Sequence, residues 1–132
     1  MAPRGEQVIG IVGGVGPQAG IDLASKITSQ TSATCDQEHL PLVLLSLPAR
    51  IVERTAFLQG VEVENPGVAI ATVIVQLETC GATVVGIPCN TAHAPPIFDV
   101  IKEDIARRDA VVTVIDMVAE TVAFLRVHHA DV

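Results

Sequence analysis

Short apolar runs alternate with amphipathic stretches along this chain. The first run, Val8 to Val12, leads into Gly13-Gly14-Val15-Gly16-Pro17. It is brief and β-branched, the pattern of a strand buried on both faces. Pro17 opens a helix at its first position. Ile21, Leu23, Ala24 and Ile27 give that helix an apolar stripe, carried to about Ser32. Leu42 to Leu47 reads as the second strand. Residues 48–64 lack a clear period and read as a long irregular segment, part of it open to helix. Segments longer than about 12–15 residues without regular structure tend to be functional. Asn65-Pro66 pairs an N-cap with a proline at N1, and the helix it starts runs to about Cys80, with Gly81 at C′. Thr83 to Ile87, bounded by Gly81 and Pro88, is the third strand. A helix from about Pro96 to Arg107 follows, with Arg107 and Arg108 near its negative end. Val111 to Ile115 is the fourth strand, Met117 to Val127 the last helix, and 128–132 a polar tail.

The order βαβαβαβα predicts an α/β domain over residues 1–127. Right-handed crossovers make it a doubly wound, four-stranded parallel sheet. A flavodoxin-like strand order of 2-1-3-4 puts the first and third strands side by side, with a crevice at their carboxyl ends. Composition agrees. The chain has 132 residues, 49% of them hydrophobic, with Phe57, Phe98 and Phe124 as its aromatics. Its core is therefore aliphatic. The net charge of −7 and the scarcity of stacking rings argue against nucleic acid as a partner. The cysteines Cys35, Cys80 and Cys89 are odd in number and unpatterned, which argues for a reducing, cytoplasmic setting rather than a disulfide framework. No apolar run approaches about 18 residues, so no membrane span is expected. The polar start is not a signal peptide.

The chemistry concentrates at Pro88-Cys89-Asn90-Thr91-Ala92-His93, directly after the third strand. A thiol past the carboxyl end of a parallel strand lies where such sheets bind ligands. A helix start just beyond it would favour the thiolate. The turn Gly13 to Pro17 would face it across the crevice, able to let a ligand approach the backbone or to hold an anion at the helix start. It lacks the P-loop lysine and the G-x-G-x-x-G spacing, and the plain alternative is a tight turn with no ligand. Cys35 and Cys80 read as small buried hydrophobes. His93 reads as a general base or metal ligand, or as a capping or packing residue, the last being favoured; His39 has the same ambiguity. Arg54, in Glu53-Arg54-Thr55, suits a carboxylate or a surface ion pair.

Gly10-Ile11-Val12-Gly13-Gly14-Val15-Gly16-Pro17, then Asp36-Gln37-Glu38-His39, Glu53-Arg54-Thr55 and Pro88-Cys89-Asn90-Thr91-Ala92-His93, in that order and spacing, resemble the aspartate/glutamate racemase family. These are cofactor-independent, two-cysteine amino-acid racemases. The resemblance covers about Val8 to Leu125. It implies that Cys89 is one of two catalytic thiols and that Asn90 and Thr91 bind the substrate's α-carboxylate region. Arg54 would hold a carboxylate, and the Gly14-Val15-Gly16 backbone would line the pocket. Val15 stands where the family often has methionine. The implied substrate is a dicarboxylic amino acid. No pyridoxal or metal site is visible, and Cys35, Cys80 and Cys89 form no zinc spacing.

Family members are about twice this long, with a second similar domain carrying the other cysteine. This chain resembles the first half. It reads as a truncated or degenerate product, as an excised domain, or as one partner of a homodimer in which two Cys89 thiols share a cleft across a two-fold axis. The alternative function is a non-catalytic dicarboxylate-binding domain. Hydantoin racemases and arylmalonate decarboxylases, with a similar cysteine layout, are a weaker third option.

Overall fold

The strand-forming runs pair in register in the computed structural model, which describes residues 5–128. Strands β1 (Ile9–Gly13), β2 (Leu42–Ser46), β3 (Val84–Gly86) and β4 (Thr113–Val114) make one parallel sheet of order β2-β1-β3-β4. The doubly wound, 2-1-3-4 architecture therefore stands. From residue 129 onward the expected polar tail lies outside the described residues.

Helix α1 (Pro17–Gln30) carries the chain from β1 outward to β2. Helices α3 (Pro66–Thr79) and α4 (Pro95–Arg107) carry it the other way across the sheet. Right-handed crossovers then put α1 on one face and α3 with α4 on the other. Most of the core lies on the second face. Ile70, Val73, Ile74 and Leu77 of α3 and Ile97 and Ile101 of α4 are buried in one cluster with Val12 and Val85 of the sheet and Ile87 just past β3. On the first face, α1 buries Gly20 alone and α5 (Met117–Val127) buries nothing completely.

The helix starts follow local chemistry. Asn65 Oδ1 accepts from the Gly67 N–H at 2.8 Å, and its Nδ2 donates to the Pro96 carbonyl at 3.0 Å, tying the starts of α3 and α4 together. Cys80 is the C-cap of α3, and Gly81 adopts a φ of +102° that favours glycine. Asp116 caps α5 through the Val118 and Ala119 amides. The irregular segment contains a short helix, α2 (Arg54–Leu58), because Glu53 caps it by accepting from the Ala56 N–H at 2.8 Å.

Arg107 and Arg108 do more than face a helix end. Both pair with Asp104, which is 2% exposed, Arg108 at 2.7 Å. Arg108 also reaches the Thr72 hydroxyl of α3 at 2.9 Å.

Candidate active site

Register fixes the geometry of the crevice. Ile11 of β1 faces Gly86 of β3. Counting onward equally from that pair leads to Gly14 on one strand and Cys89 on the other, so both stand at the carboxyl edge of neighbouring strands. Gly14 has a φ of +81°, and a Cβ there would lie 2.9 Å from the Pro48 nitrogen and 3.0 Å from that of Leu47. The turn is pressed against the backbone leaving β2, which by itself explains a glycine at 14. Val15 is 2% exposed, with its side chain in the core, so only its backbone can meet a ligand. Gly16 is exposed, with open space where a side chain would be.

Cys89 is part-buried. Its Sγ lies 3.2 Å from the Thr91 hydroxyl, and its N–H donates to the Ile87 carbonyl at 2.8 Å. Its carbonyl meets His93 Nδ1 at 2.7 Å. A carbonyl can only accept, so Nδ1 carries the proton and Nε2 is an acceptor in the neutral ring. The ring stands 4.9 Å from that of Phe98 and is buried. His93 thus packs on Phe98 and ties its turn to the Cys89 carbonyl, and among the described residues no three His, Cys, Asp or Glu side chains gather into a metal-binding group.

The helix expected from about Pro96 is found there, but the thiol does not adjoin its start. Residues 91–93 form a 3₁₀ turn, in which the His93 N–H reaches the Asn90 carbonyl at 3.0 Å, and α4 begins only at Pro95. Proline disfavours helical backbone in the residue before it, and Ala94 is accordingly extended, with ψ at 136°.

Cys89 and Asn90 line a cleft of about 300 Å³ together with Ala19, Asp22 and Lys26 of α1 and Met117 of α5. Asp22 and Lys26 pair across one helical turn at 2.7 Å. Sequence reasoning passed over Lys26 and Met117. The signal for the lysine was its i,i+4 spacing from Asp22 beside the apolar stripe; Met117 had only its place after β4. Arg54 is not among the cleft's lining residues. It opens α2, which packs against the 91–93 turn, and its Nε is buried without a partner. Among the described residues it makes no ion pair. Glu53 spends its carboxylate on the α2 cap instead: hydrogen bonds from the Ala56 and Thr55 amides hold its carboxyl below the ordinary glutamate range.

Cys35 and Cys80 are exposed, which overturns their reading as buried hydrophobes. Cys35 precedes a 3₁₀ turn at 36–38 and Cys80 ends α3. Each lies in a connection entering a strand, at the sheet edge opposite Cys89.

Known proteins share this fold. A family model described as Asp/Glu/Hydantoin racemase matches residues 12–128. The fold superposes on an aspartate racemase of Picrophilus torridus with a TM-score of 0.78 and 31% identity, covering 93% of this chain and 48% of that one. An aspartate racemase homologue from Pyrococcus horikoshii OT3 shares the fold at a TM-score of 0.70 and 17% identity, with 93% of this chain and 50% of that one covered. The chain thus spans about half the length of both structures.

Proposed function

The chain belongs to the Asp/Glu/hydantoin racemase family, and from that premise we propose that it is the Cys89-bearing unit of a cofactor-independent amino-acid racemase. The observation that supports this most directly is the Cys89 thiol. It is part-buried beside the Thr91 hydroxyl, on a cleft at the carboxyl edge of adjacent strands.

Racemisation removes the α-proton from one face of the substrate and returns a proton to the other. One thiolate takes the proton as the Cα–H bond breaks and its S–H bond forms. A second thiol gives up its proton as the new Cα–H bond forms. No electrons are gained or lost overall. Both groups must stand within hydrogen-bond reach on opposite faces. Asn90 and Thr91 hold the α-carboxylate region in this reading, and the Gly14-Val15-Gly16 backbone closes its other side. Arg54 takes a second carboxylate bidentately, which makes the substrate a dicarboxylic amino acid. Fixed donors on the carboxylates offset the charge that builds on the carbanion.

The second thiol comes from outside this chain's cleft, because Cys35 and Cys80 occupy the opposite sheet edge. A second copy can supply it: an isologous pair related by a two-fold axis sets two Cys89 sulfurs on one shared cleft. A monomer at assay concentration removes that arrangement. The same lone thiol favours, as a second reading, a dicarboxylate-binding domain that does not racemise.

Incubation with L-aspartate in deuterated water separates the readings. α-Hydrogen exchange with inversion is the racemase outcome, and binding without either is the binding-domain outcome. Cys89→Ser is expected to slow exchange by about 100-fold or more, the scale of a lost proton-transfer group. A Cys89→Ser protein that exchanges as fast as its parent takes Cys89 out of the mechanism.

A further inference from the structure

Two buried polar atoms of complementary kind lie in adjoining elements with no partner. One is His93 Nε2; the other is Arg54 Nε. The Cys89 carbonyl fixes the His93 proton on Nδ1, so Nε2 offers a lone pair. Arg54 Nε–H can only donate. Leaving either atom unpaired in the interior is costly, because each has given up its water for nothing. The elements that carry them touch: α2 packs on the 91–93 turn. Phe57, one helical turn from Arg54, packs on the core cluster, so the side of α2 that carries both residues faces inward.

We propose that His93 is the positioning residue for Arg54, with Nε2 accepting from the Arg54 Nε–H across one water. The rest follows from the guanidinium's shape. Its plane is rigid, so a bond at Nε fixes the direction of both terminal NH₂ groups. Those groups are the fork that takes a carboxylate. The bond from Nδ1 to the Cys89 carbonyl, with the Phe98 ring alongside, holds the imidazole still. One residue thereby links the strand end bearing the thiol to the side chain that selects the substrate's second carboxylate. The proposed pairing rests on the two unpartnered atoms and the contact of their elements, whereas its service to a carboxylate rests on the racemase reading.

The test uses the full chain labelled with ¹⁵N. The ring of His93 is expected to be neutral with its proton on Nδ1, and Arg54→Lys, which keeps the charge but has no Nε–H, is expected to move the Nε2 resonance. A proton on Nε2, or a ring unmoved by Arg54→Lys, overturns the proposal. Two replacements of His93 read the consequence, with succinate as the probe. His93→Asn keeps a donor for the Cys89 carbonyl but has no acceptor at the ε position, and is expected to weaken succinate about tenfold. His93→Gln keeps an acceptor there and is expected to restore most of that loss. Equal weakening in both overturns the positioning role. A shifted Nε2 resonance in a protein that binds no succinate at all confirms the pairing and counts against the dicarboxylate reading instead.

Discussion

Individual side chains at the crevice carry distinct physical loads. The Thr91 hydroxyl can donate to the Cys89 sulfur in its charged form across their 3.2 Å contact. In a Cys35→Ser/Cys80→Ser background, which removes the exposed thiols, Thr91→Val is expected to slow alkylation of Cys89 about fivefold at neutral pH. That corresponds to about 1 kcal/mol, an ordinary hydrogen-bond contribution. An unchanged alkylation rate would show the contact to be idle. Gly14→Ala tests a different load. The added methyl meets the Leu47 and Pro48 backbone while the residue sits at φ +81°. The expected loss is about 1–3 kcal/mol in urea unfolding. Cys89 was readable from sequence because its position depends on a neighbouring strand. The contact of α2 with the 91–93 turn was not, because it joins residues far apart in the chain.

At the scale of elements, prolines and caps decided where helices begin. Asn65-Pro66 announced α3 correctly, since an Asx cap and a fixed φ act within one turn. The Pro95-Pro96 pair carried an equally local message, that Ala94 must be extended. It keeps the helix start at the proline pair, apart from Cys89. Helix α2 is too short for a periodic pattern and owes its existence to the Glu53 cap. That cap titrates. Glu53 has a folded value below its ordinary 4.5, so the cap's contribution is complete above about that pH and is lost as acid drives the pH down through the lowered folded value. The Ala56 amide is expected to shift with that titration in NMR spectra, ahead of global unfolding, and Glu53→Gln is expected to abolish the shift. Asn65→Asp keeps the cap but forfeits the donor to the Pro96 carbonyl. It is expected to cost about 1 kcal/mol, and Asn65→Ala about 1–2, by urea midpoint.

Across the whole molecule the two faces of the sheet differ. Helix α3 is apolar nearly all round and is covered by α4 and the sheet, whereas α1 carries Asp22, Lys26 and other polar residues beside its apolar stripe, and α1 and α5 stand apart. Between them runs an apolar groove of about 370 Å³, floored by Gly86 and Ile87 and walled by Leu23, Ile115, Met117 and Phe124. It shares Leu23, Pro88 and Met117 with the Cys89 cleft, so whatever alters one alters the wall of the other. Phe124 is 59% exposed and Val127 72%. Truncation should register this asymmetry. Leu77→Ala, at a fully buried α3 position, is expected to cost about 2–5 kcal/mol, because the packed surroundings cannot collapse into the cavity. Leu23→Ala removes the same atoms from a wall already open to water, and is expected to cost less than half as much. Denaturant unfolding of both variants at a concentration where the chain is monomeric makes the comparison. Equal losses would mean that the α1 face is as closely packed in solution as the α3 face, and that the groove beside Cys89 is filled.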